Sequence, residues 1–408
     1  HLDPFSRCTS GGGHQLSNLS EKVFQGVELS DSAAESLSHV RKYLKEGPTS
    51  AGAEPAKLLD FSSLSVDTSR MLGAGSTARV YRGTWRGQAC AVKLLYTVEI
   101  TPEQIQRTCH EASLLHSLQA ASPHIVGLFG VAVTPPSVCV VLEFCSEGSL
   151  FDVVHALKEE VENTGRASTS DRALAMFSRQ SRSTREPQTY KFAKRLSWED
   201  QLQLALGACR GVEALAHTLP GFSHNDLKSA NFLVNLGSVN GLTWIVKLSD
   251  VEFASKGVTP EYMIEAGTPQ WTAPEILANQ RPVSPASDVY ALAVVLFEIE
   301  SRQIPYGHMS SSDIVECVLK GKRPELPDDL ETSLRPSERL TRSLFRSMVS
   351  RAWAQDADTR PSAAELTANI EEIWVAFTRD QRSASATAAN IEEVVRHNPI
   401  REDSGTHF

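Results

Sequence analysis

The sequence predicts an α+β fold: a small antiparallel β-sheet lobe carrying one helix, followed by a larger, mainly α-helical lobe. Three observations predict it. From Phe61 to about Leu95 apolar and polar residues alternate and glycines separate the runs, the period-two pattern of a half-buried sheet. One helical pattern, opening at Thr101-Pro102, is set among these strand-like runs, and after Gly148 the signals become mostly helical. The chain has 408 residues, 41% of them apolar, which is enough for two or three structural units.

Residues 1–59 are rich in Ser, Gly and Ala. Val23, Val27, Leu37, Val40 and Leu44 recur at helical spacing and Gly47-Pro48 ends the pattern, so this extension is expected to be partly helical or flexible, and loosely attached. Arg79 to Thr84 and Gln88 to Leu95 read as strands. The helix after Thr101 puts Ile105, Cys109, Ala112 and Leu115 on one face. Val126 to Thr134 and Val138 to Phe144 are two further strands, split by Pro135-Pro136. Helices are expected over Trp198 to Leu219, Ser287 to Glu300, Ser311 to Leu319, Ser337 to Trp353 and Ser362 to Phe377. The apolar run Val289 to Ile299 is shorter than the roughly 18 residues a membrane span needs, so it reads as a buried helix.

Between Leu157 and Arg195 stand nine Lys/Arg, five Asp/Glu and nine Ser/Thr with no periodicity, the composition of a disordered insertion between helices. Its Arg179-to-Arg185 run of arginines and hydroxyls suits a phosphorylation-controlled docking segment, and equally a solvated loop. The tail after residue 377 is polar, with one helical stretch near Ala386 to Val395.

A net charge of −9 argues against general nucleic-acid binding. Seven dispersed cysteines without a C-x-x-C pair read as reduced thiols, and so point to a cytoplasmic chain. No signal peptide is visible. The chain opens on His1 and is read as a fragment, compatible with a membrane segment upstream.

The chemistry concentrates in His224-Asn225-Asp226-Leu227-Lys228-Ser229-Ala230-Asn231. Asp226 and Asn231 stand five positions apart in a polar loop, and Asp250 follows an apolar strand nineteen residues further on. Phosphoryl transfer from a nucleotide needs such a set: a carboxylate for the attacking hydroxyl, and an amide and a second carboxylate as hard-oxygen ligands for magnesium. Lys228 is placed to stabilise charge on the transferring phosphoryl group. Gly73-Ala74-Gly75-Ser76-Thr77-Ala78-Arg79-Val80 nearly matches G-x-G-x-x-G-x-V, in which glycines let backbone amides approach phosphates. An ordinary hairpin turn has a similar composition. A dinucleotide-binding turn would need a helix next, and a strand follows instead. Lys93 ends an apolar run and needs a partner, for which Glu111 on the following helix is the candidate.

Taken together these motifs resemble a eukaryotic protein kinase from about Phe61 to Ala376, closest to the tyrosine-kinase-like group of serine/threonine kinases. Thr84-Trp85-Arg86-Gly87, Gly267-Thr268-Pro269-Gln270-Trp271-Thr272-Ala273-Pro274-Glu275, Ser287-Asp288-Val289-Tyr290 and Asp358-Thr359-Arg360-Pro361 match as well. The resemblance implies a bilobal kinase domain at 60–376, with an N-lobe at 60–142, a hinge at 143–148 and a C-lobe at 149–376 interrupted by the insertion at about 157–196. It implies ATP and Mg2+ as cofactors and a protein substrate. Lys93, Glu111, Asp226 and Lys228 would be catalytic, and Asn231 and Asp250 would hold metal. Leu72, Gly73, Ala74, Gly75 and Ser76 would cover the phosphates. Val80, Ala91 and Leu233 would sandwich adenine, and Glu143, Phe144 and Cys145 would meet its edge. Leu142 would be the gatekeeper. Leu115, Leu128, Val251 and His224 would form a hydrophobic spine. Glu275 would pair with Arg360, and Asp288 would anchor the catalytic loop. Lys228 and Thr268 imply transfer to serine or threonine.

Three positions depart from the family pattern. Asn225 replaces the arginine that meets a phosphate on the activation loop, which implies switching independent of phosphorylation there. Glu252 replaces a glycine, so that it is strained if the backbone there is left-handed, and either hampers metal placement or turns to solvent. Ala78 replaces the last loop glycine and stiffens the lid. These departures leave a second reading open, a pseudokinase that binds nucleotide or serves as a scaffold.

Overall fold

The computed structural model describes residues 38–40, 42–44, 56–74, 78–95, 101–134, 137–155, 196–239, 241–256, 268–326 and 334–397. Gly75 and Ser76, the insertion at about 157–196, the helical pattern before residue 38 and the last residues of the tail lie outside them.

The first lobe is a six-stranded sheet in the order β1-β5-β6-β4-β3-β2, formed by β1 (Leu58–Leu59), β2 (Leu64–Ala74), β3 (Ala78–Trp85), β4 (Gln88–Leu95), β5 (Leu128–Thr134) and β6 (Ser137–Glu143). All its pairings are antiparallel except β1 with β5, which is parallel. The one parallel pairing left no signal in the sequence, because the two-residue β1 is too short to carry a periodicity. Alternation along β4 places Val92 and Leu94 in one apolar cluster and Ala91 in the other, so that Lys93 shares the inner face with Ala91. Helix α1 (Pro102–Gln119) packs under that face. It starts where predicted: Thr101 accepts from the Gln104 amide, Gln104 answers with its own side chain, and Pro102 needs no donor in the first turn.

The second lobe is helical around a two-stranded insert. Its elements are α2 (Leu150–His155), α3 (Trp198–Thr218), the hairpin β7 (Phe232–Val239) and β8 (Leu242–Leu248), α4 (Pro274–Leu277), α5 (Pro285–Ser301), α6 (Ser311–Leu319), α7 (Pro336–Ala352) and α8 (Ala363–His397). Helix α5 is buried continuously from Ser287 to Glu300 and forms the axis of the lobe. Fully buried side chains such as Phe297 and Tyr290 contribute about 1.5–3 kcal/mol each. The tail does not stop at Phe377 and resume later. Helix α8 runs on through it to His397.

Backbone hydrogen bonds join the lobes behind the cleft. Val126 donates to the Leu248 carbonyl at 2.9 Å, and Leu248 donates to the His124 carbonyl at 2.8 Å. In front, Glu147 donates to Val234 at 3.0 Å. The expected loose attachment of the N-terminal extension fails at Val40 and Leu44. Val40 and Leu44 are buried in the core cluster that holds α1, and the Cys109 thiol faces the Val40 carbonyl.

Candidate active site

Lys93 projects from β4 into the cleft between sheet and α1. Its Nζ lies 2.9 and 3.0 Å from the two Glu111 oxygens, 2.9 Å from Asp250 Oδ1 and 3.1 Å from Glu252 Oε2. The predicted Lys93–Glu111 pair is therefore formed, with two further carboxylates on the same ammonium. Burial alone would lower the Lys93 pKa, but Glu111, Asp250 and Glu252 outweigh it and hold it well above the usual lysine value. Glu111 bears the cost of sharing one cation. Its burial, with Asp250 and Glu252 nearby, pushes its carboxyl up to about 7 despite Lys93. Burial acts upward on Asp250 too, but Lys93 holds that carboxyl below its ordinary value.

The segment around Asp250 takes an unexpected form. Asp250 is the left-handed residue, at φ 59° and ψ 50°, and a 3₁₀ turn over Val251–Phe253 follows it. Glu252 is not among the residues of positive φ, so the strain expected there is absent. Nor does its side chain turn to solvent: it reaches inward to Lys93 and is 15% exposed. Val251 is fully buried in the cluster that holds Leu115 and Leu128, and His224 is buried as well. Beside Lys93 and Glu252 a pocket opens, lined also by Gln104, Arg107 and Thr108 of α1.

The polar loop is held from beneath by Asp288 on α5. Asp288 Oδ2 accepts from the His224 amide at 2.7 Å, and Oδ1 accepts from the Asn225 amide at 3.3 Å. Burial raises the Asp288 carboxyl to about 6. The His224 ring contacts the Ser249 carbonyl at 2.8 Å. Asn225 sits at φ 70°, which asparagine tolerates better than most residues. Asp226 is gripped from two sides. Lys228 Nζ donates to both its carboxylate oxygens at 2.9 and 2.7 Å, and Asn231 Nδ2 donates to its carbonyl at 2.7 Å and to Oδ2 at 3.0 Å. Because the Asn231 nitrogen faces Asp226, its amide oxygen is directed away from that carboxylate. The Asn231 carbonyl accepts from both the Ser249 amide and the Ser249 hydroxyl, which brings Asn231 beside the segment bearing Asp250. Among the described residues no three His, Cys, Asp or Glu side chains form a metal-holding group. The expected set, one amide and one carboxylate, fits a magnesium ion that takes its other ligands from phosphate and water.

The predicted adenine-cleft residues fall together. Val80 pairs in register with both Gly73 and Lys93, and Ala91 pairs with Leu142. Leu72, Val80 and Leu233 are half-buried against the cluster that contains Ala91 and Leu142. Leu72, Gly73 and Ala74 end β2. The Glu143 side chain faces away from this purpose: it pairs with Lys247 at 3.0 Å and accepts from Asn235 and the Gly127 amide. Phe144 lies beneath the Arg82 guanidinium at 4.5 Å. Burial pushes the Cys145 thiol up to about 12, so it is an inert wall of the cleft. Glu275 and Arg360 form a bidentate pair at 2.7 and 2.8 Å.

Sequence reasoning missed Glu298. Fully buried on α5, it accepts from Ser229 Oγ and Trp271 Nε1, both at 2.8 Å, and contacts His155 Nε2 at 3.2 Å. It therefore ties the polar loop to the segment ahead of α4. The available signal was a lone carboxylate inside the apolar run Val289 to Ile299, which demands partners.

A polar loop fixed from a buried helix, a lysine–glutamate pair across sheet and helix, and a carboxylate after a hairpin are thus linked by direct contacts. Residues 66–370 match the family of protein tyrosine and serine/threonine kinases, and the chain belongs to it, carrying a eukaryotic protein kinase domain. It is similar to the probable serine/threonine-protein kinase SIS8 of Arabidopsis thaliana, 28% identical over 312 residues, 76% of this chain and 25% of that protein. It is also similar to the serine/threonine-protein kinase CTR1 of the same organism, 26% identical over 313 residues, 76% of this chain and 31% of the relative. The probable serine/threonine-protein kinase drkA of Dictyostelium discoideum is 29% identical over 259 residues, 63% of this chain and 34% of the relative. The chain thus spans between a quarter and about a third of the length of these relatives. Among the described residues no helix is long and apolar enough to cross a membrane.

Proposed function

We propose that the chain is a protein serine/threonine kinase that transfers the γ-phosphate of ATP to hydroxyls of a protein substrate. One observation carries the reading: Lys93, Glu111 and Asp250 meet at contacts of 2.9 to 3.0 Å, on the segment that Ser249 joins to the loop of Asp226, Lys228 and Asn231.

Lys93, steadied by Glu111, directs its ammonium at the α- and β-phosphates. Leu72, Gly73, Ala74, Gly75 and Ser76 cover the phosphates, while Val80, Ala91 and Leu233 sandwich adenine against the backbone of Glu143 to Cys145. Asn231 and Asp250 would hold magnesium, which supplies charge neutralisation at the transferring phosphoryl group. Asp226 orients the attacking hydroxyl and accepts its proton. Lys228, already on both Asp226 oxygens, stabilises the charge that develops in transfer. Lys228 and Thr268 favour serine or threonine, as do the names of the relatives. The unpaired cysteines among the described residues support a cytoplasmic setting.

The experiment is transfer from labelled ATP with magnesium over a peptide panel, beside Asp226→Asn. The substitution is expected to lower turnover by about 10² to 10⁴, the share of a general base. Equal incorporation by both forms sinks the enzyme reading. Glu252 on Lys93 favours a second reading, a nucleotide-binding or scaffolding pseudokinase, which binding without labelled product would select.

A further inference from the structure

An ammonium has three N–H donors. On Lys93 they are divided among three carboxylates: Glu111 with both oxygens, Asp250 with Oδ1 and Glu252 with Oε2. A lysine whose task is to hold phosphate oxygens must give up some of these partners. Glu111 stays, because it aims the side chain. Asp250 has a second use once released, since the proposed metal takes its charge. Glu252 has no such use at the metal: once displaced it must find another partner.

We infer that Glu252 is a positioning residue that occupies on Lys93 the place a nucleotide phosphate oxygen takes, and so sets nucleotide affinity. The inference rests on the kinase reading and goes beyond it, since it concerns what the nucleotide must displace. The geometry favours a competing ligand over a passive surface charge. Glu252 is 15% exposed at its side chain, stands on a 3₁₀ turn fixed by fully buried Val251, and meets a lysine that is itself 12% exposed. A contact so shielded is screened little by salt. The neighbouring pocket, lined by Gln104, Arg107 and Thr108, gives the displaced carboxylate a place to go and a cation to face.

The experiment measures binding of a non-hydrolysable ATP analogue to the full chain by calorimetry, with and without magnesium, for wild type, Glu252→Gln and Glu252→Asp. Glutamine keeps the shape and removes the charge. It is expected to tighten binding about tenfold, the scale of one charged hydrogen bond released from competition. Aspartate keeps the charge but is one methylene shorter, and is expected to fall between. In steady state the glutamine variant lowers KM for ATP with a smaller change in kcat, a split that a general loosening of the fold would not give. Thermal unfolding midpoints show that all three forms are folded. Equal or weaker analogue binding by the glutamine form overturns the inference and leaves the kinase reading intact, and weaker binding only with magnesium would make Glu252 a metal ligand instead. If neither wild type nor variant binds the analogue, the nucleotide reading itself fails and the inference falls with it.

Discussion

Asn225 reaches across to Ser255: its side-chain amide donates to the Ser255 hydroxyl at 2.7 Å and to the Phe253 carbonyl at 2.7 Å. The backbones reinforce the tie, because Ser223 and Ser255 exchange amide hydrogen bonds at 2.9 and 3.0 Å. The loop of Asp226 is thus bound to the segment after Asp250 by neutral groups, at the position where the family pattern places an arginine that needs a phosphate.

Phosphatase treatment is therefore expected to leave the activity of the wild-type chain unchanged. Asn225→Ala is expected to destabilise the fold by about 2–3 kcal/mol, from two lost hydrogen bonds and an alanine forced to positive φ. Denaturant midpoints check the second statement. Activity that collapses on dephosphorylation of sites between Val251 and Pro274 overturns the first.

Asp288 makes stability depend on pH with a definite sign. Its carboxyl is raised from 3.8 to about 6 by burial, against the pull of its contacts with His224 and Asn225. Between those values the folded protein holds a proton that the unfolded chain releases. Unfolding free energy therefore falls as pH rises from about 4 to 6, by on the order of 3 kcal/mol from this group. In Asp288→Asn, whose amide does not titrate, the slope of the urea midpoint over that range is expected to flatten. An unchanged slope would show that the carboxyl is not raised.

Glu298 is a structural knot. Replacing it with alanine leaves the Ser229, Trp271 and His155 donors without their acceptor in a fully buried site. A loss of about 3–5 kcal/mol is expected on unfolding in denaturant. Ser229→Ala, which removes one donor and leaves the carboxylate its other two contacts, is expected to cost about 1 kcal/mol. Similar losses for the two would mean that the other contacts of Glu298 carry little.

The helical residues 38–40 and 42–44 brace α1. Leu44→Ala is expected to lower stability by about 2–5 kcal/mol, as for any buried leucine. Because Cys109 and Leu44 share the cluster that supports the Glu111 helix, the same variant is expected to reduce transfer from labelled ATP. A loosely tethered extension would move neither the melting temperature nor the activity.

Where local signals were strong, the chain could be read directly. Gln88–Leu95 and Ser311–Leu319 form over the residues expected, because alternation marks the first and a Ser310 cap the second. The pair Lys93–Glu111 was legible because the lysine is a charge out of keeping with its apolar run, whereas the pair Glu275–Arg360 was implied only by the resemblance to protein kinases. Short elements were not. β1 has two residues, α4 has four and α2 has six, too few to show a period. β7 was hidden by the polar Asn235 and by Gly237 and Ser238 within it. The inward turn of Glu252 and the docking of Val40 depend on what lies opposite in space, which no spacing along a chain records.

The stitch between residues 124–126 and β8 makes the end of α1 a fulcrum. That stitch begins five residues beyond the helix's last residue, Gln119, while its first turn at Pro102 lies roughly 25 Å from that end along the axis. Glu111 stands about 12 Å out from that end, so a tilt of about 10° carries it about 2 Å. That travel is comparable to the 2.9 Å separation of Glu111 from Lys93, so the ion pair depends closely on the angle at which α1 sits on the sheet.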